Sequence, residues 1–100
     1  MTSAVGFEPA GPGHYRVTGP LRFETAMEAL EKSRELFAEH REIELDLQGV
    51  ESTDSAGLAL LVEWVGWAHR EGRRILFHHL PPQLLALARI SEVDKLLPTV

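Results

Sequence analysis

The chain contains no cysteine, little basic charge and no long apolar run, and each shortage excludes a class of function. Without cysteine among its 100 residues it has no disulfide, no thiolate metal ligand and no cysteine nucleophile. Lys and Arg number 10 against 15 Asp and Glu, and the net charge of −5 argues against nucleic-acid binding, which needs a basic stripe. The longest apolar stretch is interrupted by Glu63, so we expect no direct insertion into a membrane.

The first thirteen residues differ in composition from the rest of the chain. They are rich in Gly, Pro and Ala, carry no Lys or Arg and lack an apolar run, so they do not resemble a secretory signal. We therefore expect a cytoplasmic protein. Residues 1–13 are predicted to be a flexible N-terminal arm, or an edge strand near residues 5–8. Residues 14–100 are predicted to form one domain.

The first half of this domain shows a strand pattern and then a helix pattern. Alternation over residues 14–18 predicts a strand that Gly19 and Pro20 should end. Thr25 followed by Glu28 is a capping-box pair and predicts a helix start. The helix should cover the sheet with an apolar stripe made of Ala26, Leu30, Leu36 and Phe37.

The second half continues the alternation of strands and helices. Ile43, Leu45 and Leu47 alternate with polar residues, which predicts a strand buried on one face only. A nearly all-apolar helix should run from Leu58 to a glycine cap near Gly72, followed by a strand over residues 74–80 and a helix after Pro81 and Pro82. The pattern predicts a single α/β domain, with a mixed, mostly parallel sheet of about four strands and helices on one face.

The junction between the central strand and the apolar helix reads Asp54-Ser55-Ala56-Gly57-Leu58. Ser55 falls at a helix N-terminus, where backbone N–H groups are unpaired and the helix dipole is positive. The hydroxyl is therefore either an ordinary cap or a site where a phosphate or a partner is recognised. Thr53 and Asp54 compete for the capping role, and the residues alone favour a cap. Gly57 predicts a close approach of the backbone to the sheet or to a partner.

This turn, in this position, resembles the D-S/T-x-G-L turn of the STAS domain family, the fold of bacterial anti-sigma factor antagonists. The run GLALLVEWVGWAHREGRRILFHHLPPQLLALARISEVDKLLP further resembles the STAS subunits of Mla phospholipid-transport ABC complexes. Two residues depart from these patterns. Ala56 replaces a second hydroxyl common in anti-sigma antagonists, and Ser55 stands where Mla-type chains typically have threonine.

The resemblance implies a non-catalytic subunit that binds the cytoplasmic ATPase of a phospholipid transporter and, through it, the membrane permease. Such a protein would lie peripheral to the inner membrane and support outer-membrane lipid asymmetry. The partner surface would comprise Thr53, Asp54, Ser55, Ala56 and Gly57, together with Glu63 and Trp67 on the following helix. The alternative implied is an anti-sigma factor antagonist, in which a cognate serine kinase phosphorylates Ser55 and switches off binding.

Neither a metal site nor a catalytic constellation is indicated by the remaining residues. His78 and His79 are adjacent on a predicted strand, so we expect them to point to opposite faces. The chain has no HExxH, no glycine-rich phosphate loop and no GxSxG elbow around Ser55. We therefore expect no enzyme activity, no metal and no cofactor. Trp64 and Trp67 fit a core role and a partner contact equally well.

Overall fold

A computed structural model describes residues 4–100 and shows a four-stranded sheet with three α-helices. The elements are β1 (Gly6–Gly11), β2 (His14–Leu21), α1 (Phe23–Phe37), β3 (Glu42–Thr53), α2 (Ser55–Arg70), β4 (Arg74–His78) and α3 (Pro82–Ile90), with a short 3-10 turn at Asp94–Leu96. The strand order is β1-β2-β3-β4. β1 is antiparallel to β2, and the other pairs are parallel. The predicted α/β class and mixed sheet are confirmed.

Strand β1 forms one edge of the sheet and is longer than the short strand expected near residues 5–8. It runs to Gly11, and the residue before it, Val5, is fully buried. Phe7 packs edge-on against the rings of Phe37 and Trp64, with centroids 6.1 and 6.0 Å apart. These aromatic contacts anchor the edge strand to the core. The part of the expected arm at residues 1–3 lies outside the described residues.

The predicted end of β2 and start of α1 are both wrong. The strand continues through Gly19 and Pro20 to Leu21, because Gly19 adopts a φ of +85° and the pairing with β3 shifts register there. The helix has Arg22, not Thr25, as its N-cap. The Thr25 hydroxyl accepts a hydrogen bond from the Arg22 N–H at 3.1 Å and donates one to the Pro20 carbonyl at 2.7 Å.

Helix α1 buries a different stripe from the one predicted. Its buried residues are Thr25, Ala29, Ser33 and Phe37, spaced four apart, and only Phe37 belongs to the expected set. Two hydroxyl residues enter the core because hydrogen-bond partners satisfy them, Pro20 for Thr25 and both Leu30 and Trp64 for Ser33. The Ser33 hydroxyl accepts a hydrogen bond of 2.8 Å from the Trp64 indole N–H. Trp64 is 1% exposed and is therefore a core residue.

The core lies between the sheet and the helices. Ile43, Leu45 and Leu47 on β3 are buried, whereas Glu44 and Asp46 between them are partly exposed on the face without helices. Burying a side chain of this size contributes about 1.5–3 kcal/mol. The one-sided alternation predicted for the central strand is thus the pattern that the structure shows.

The C-terminal part of the chain protects the other sheet edge. Strand β4 ends at His78 because His79 has a φ of +58° and leaves the strand. The final residues return to β4, where the Phe77 N–H donates to the Pro98 carbonyl and the Val100 N–H to the Phe77 carbonyl. Pairing of this kind occupies backbone groups that an edge strand otherwise exposes.

Candidate functional site

Asp54 is the N-cap of α2. Its Oδ1 accepts hydrogen bonds from the backbone N–H groups of Ala56 at 2.9 Å and Gly57 at 3.2 Å. Its Oδ2 accepts a third bond, of 3.1 Å, from the N–H of Phe23 at the start of α1. Burial raises the pKa of Asp54, but the bonds from Phe23, Gly57 and Ala56 and the charge of Arg22 outweigh it, so the pKa is lowered.

Ser55 is the first residue of α2, and its side chain is exposed. Because the Asp54 carboxylate makes the capping bonds, the first of the two alternatives for Ser55, an ordinary cap, is wrong. The side chain is instead exposed at the positive end of the helix dipole.

The other residues of the motif divide between the surface and the interior. Thr53 is 4% exposed and Gly57 is buried, so both lie on the interior side of the junction. A Cβ on Gly57 would collide with the Leu21 carbonyl oxygen and the Thr53 hydroxyl. The close approach predicted for Gly57 is therefore made to strands β2 and β3. Ala56 is partly buried beside Ser55.

Two exposed apolar side chains lie beside this junction, and the sequence reasoning missed them. Phe23 is 78% exposed and Met27 is 64% exposed. They are four residues apart on α1 and therefore share one face of the helix. The bond from the Phe23 N–H to Asp54 brings the start of α1 next to the start of α2, where Ser55 lies. A pattern search could have found Phe23 only by placing the helix start correctly, at the residue after Arg22.

The predicted contact residues further along α2 have different surroundings. Glu63 is exposed and forms a 3.1 Å ion pair with Arg70. Trp67 is half-buried, with its ring 6.0 Å from Phe37 and the Arg73 guanidinium 5.1 Å from its centroid. Eight residues of helix separate Glu63 from Ser55, a rise of about 12 Å. These residues therefore form a second region, apart from the junction.

Arg73 holds the end of α1 beside this second region. Its Nη1 donates to the carbonyl oxygens of Phe37, Ala38 and His40, at 3.0, 2.7 and 2.8 Å. The last carbonyls of a helix lack partners within the helix, and a guanidinium satisfies them well. Arg73 thus fixes the position of α1 relative to Trp67.

The helix-free face of the sheet carries a cluster of histidines and carboxylates. His78 Nε2 lies 2.6 Å from Glu44 Oε1, and His14 Nε2 lies 3.2 Å from Glu44 Oε2. His79 Nδ1 lies 3.0 Å from Asp46 Oδ1. The prediction that His78 and His79 point to opposite faces is wrong, because the positive φ of His79 ends the strand alternation.

These groups do not amount to a metal site. Across residues 4–100, no group of three or more His, Cys, Asp or Glu residues is arranged to hold a metal ion. Over the same range, no helix is both long enough and apolar enough to cross a bilayer.

Comparison with known proteins places this geometry in a family. No curated protein matches the chain. The fold is similar to that in "Structure of the Anti-Sigma Factor Antagonist SpoIIAA in its Unphosphorylated Form", with a TM-score of 0.72 and 13% sequence identity over 97% of this chain and 88% of that one. A family model described as "Mlab, STAS domain" matches residues 8–98. The chain belongs to the STAS domain family.

Proposed function

We propose that this protein is a non-catalytic STAS subunit that binds the cytoplasmic ATPase of an Mla-type phospholipid-transport ABC transporter. It would help to assemble or activate that ATPase and so support outer-membrane lipid asymmetry. The description of the matching family model supports this choice of system. The observation that carries the partner surface is that the start of α2, with its exposed Ser55, is held next to the start of α1, which bears the exposed, apolar Phe23 and Met27.

The junction is suited to protein binding because it is held rigidly. The Asp54 carboxylate fixes the starts of two helices, so Ser55 and Phe23 keep their relative positions. A preorganised surface loses less conformational freedom on binding. A few anchor side chains near the centre of an interface typically carry most of the binding energy, with losses of about 2 kcal/mol or more when each is truncated. Phe23 is therefore the proposed anchor, and Ser55 supplies a hydrogen bond beside it.

The second candidate is an anti-sigma factor antagonist whose partner is a serine kinase. It is favoured by the exposure of Ser55 at a helix start that another residue already caps. A phosphate there would gain about 0.3–1 kcal/mol from the helix N-terminus but would lie next to the ionised Asp54. Phosphorylation would therefore change partner affinity more than fold stability.

The two candidates are separated by recovering the partner. The tagged protein is purified from detergent-solubilised cells of the source organism, and mass spectrometry identifies its partners and the state of Ser55. We expect an ABC ATPase with its permease, and Ser55 unmodified. A soluble serine kinase with phosphate on Ser55 would instead establish the second candidate.

The surface itself is tested with two matched substitutions of exposed apolar residues. Phe23→Asp places a charge at the proposed anchor, and Ile90→Asp makes the same kind of change on α3. We expect Phe23→Asp to reduce recovery of the ATPase at least about tenfold, the effect of losing one anchor, and Ile90→Asp to leave it unchanged. Equal recovery with both variants would remove Phe23 from the interface.

A further inference from the structure

A small cavity lies between α1 and α2, away from the junction that carries Ser55. Its volume is about 120 Å³. The side chains of its apolar part are Leu30, Phe37, Trp64 and Trp67. A closed apolar cavity of about 150 Å³ holds a benzene molecule. This cavity is thus of the size to take one aliphatic or small aromatic side chain at its open side.

The rim of the cavity is charged. Arg34 lies on the α1 side and is exposed, and Glu63 and Arg70 lie on the α2 side. Arg70 reaches back along α2 to Glu63 over Gly66, where an added Cβ would be 3.1 Å from Arg70 Nη1. The rim therefore has two guanidinium groups and one carboxylate, on a chain whose net charge is −5.

We propose that this groove binds an acidic segment of a protein partner through one apolar side chain. The apolar side chain would enter the cavity beside Trp67, and a flanking carboxylate would pair with Arg34. Charge complementarity selects this occupant, because the charge of Arg70 is paired with Glu63, whereas the exposed Arg34 would repel a basic segment and attract an acidic one. Half-buried tryptophan is a frequent anchor contact in such interfaces. The proposal rests on the proposed function for the identity of the partner and gives the chemistry of its second contact.

The charge preference is tested on the intact protein with two synthetic peptides. One hexapeptide has leucine and phenylalanine flanked on each side by two glutamates, and the other has lysines in place of the glutamates. Binding is followed by NMR at the indole N–H signals of Trp64 and Trp67. We expect the acidic peptide to shift the Trp67 signal and to bind about three- to fivefold more tightly than the basic one, as one or two exposed charge pairs allow.

Two charge reversals then locate the preference. Arg34→Glu removes the rim arginine that forms no ion pair within residues 4–100, and Arg89→Glu makes the same change on α3. Both residues are exposed, so the fold should tolerate the substitutions. We expect Arg34→Glu to abolish or invert the acidic preference and Arg89→Glu to retain it. The proposal is overturned if neither peptide shifts the Trp67 signal, or if Arg34→Glu leaves the preference intact.

These results separate the groove from the proposed transport role. If the ATPase is recovered through Phe23 but the peptides show no preference, the groove proposal fails and the proposed function stands. If the acidic preference is found and no ATPase is recovered, the groove binds an acidic segment of a different protein and the transport role fails.

Discussion

The Oδ2 atom of Asp54 accepts a hydrogen bond of 3.1 Å from the backbone N–H of Phe23, 31 residues away in sequence. The other oxygen of the same carboxylate caps α2. One side chain therefore fixes the starts of two helices and the position of the exposed hydroxyl between them. The motif residue that does most for the structure is the aspartate, and the serine beside it is exposed and does not cap the helix.

Asp54→Ala should destabilise the fold by about 1–2 kcal/mol, because it removes an N-cap and leaves the N–H of a second helix unpaired. Urea denaturation followed by circular dichroism measures this difference. Ser55→Ala is the matched control and should change the free energy of unfolding by less than about 0.5 kcal/mol, since Ser55 is exposed and does not cap the helix. Similar losses for both variants would refute the shared-cap interpretation.

The lowered pKa of Asp54 predicts how stability depends on pH. Because the folded state favours the ionised carboxylate, its contribution is complete above the unfolded pKa of about 3.9 and is lost as pH falls through the lower folded pKa. Thermal unfolding between neutral and acidic pH should therefore show a decline on the acid side that is shallower in Asp54→Asn. Because the pKa of Asp46 is also lowered, part of the acid-side decline in stability should remain in Asp54→Asn. An equally steep decline on the acid side in the unsubstituted protein and in Asp54→Asn would contradict the prediction.

Gly57→Ala should destabilise the protein by more than about 2 kcal/mol. The added methyl group would collide with the Leu21 carbonyl oxygen and the Thr53 hydroxyl, so β2 and α2 would have to move apart. Gly66→Ala is the control within the same helix, where the nearest atom is the flexible end of Arg70. Because alanine favours the helix, Gly66→Ala should be neutral or stabilising by up to about 1 kcal/mol. Comparing the urea midpoints of the two variants checks both expectations.

The sequence predicts the sheet better than it predicts the faces of α1. In β3, Ile43, Leu45 and Leu47 alternate with polar or charged residues, and this pattern is satisfied only when the apolar face of the strand is buried and the other face is not. In α1, Thr25 and Ser33 enter the core because the Pro20 carbonyl and the Trp64 indole satisfy them. Such partners are distant or lie outside the helix, so helical periodicity carries no sign of them.

The candidate site is likewise predicted by the sequence only in part. The Asp54–Leu58 motif locates the junction correctly, because strand-to-helix turns have recognisable residue requirements. It does not show which side chain makes the cap, since Thr53, Asp54 and Ser55 all have suitable oxygens. The exposure of Phe23 follows from the rotation of α1 about its axis, which turns Thr25, Ala29 and Ser33 towards the core and Phe23 away from it. That arrangement depends on tertiary structure.

The hydrogen bond between Ser33 and Trp64 gives a prediction about the core. Ser33→Ala leaves the buried indole N–H of Trp64 without a partner, and it should cost about 1–3 kcal/mol. Trp64→Phe removes the donor and also leaves a small void. In a double-mutant cycle measured by urea denaturation, the two losses should be less than additive by about 0.5–1.5 kcal/mol. Once Trp64 is replaced by Phe, the indole N–H is absent, so Ser33→Ala no longer leaves a buried donor without a partner. Strict additivity would mean that the bond contributes nothing to stability, and the presence of a serine in the buried stripe of α1 would then need another explanation.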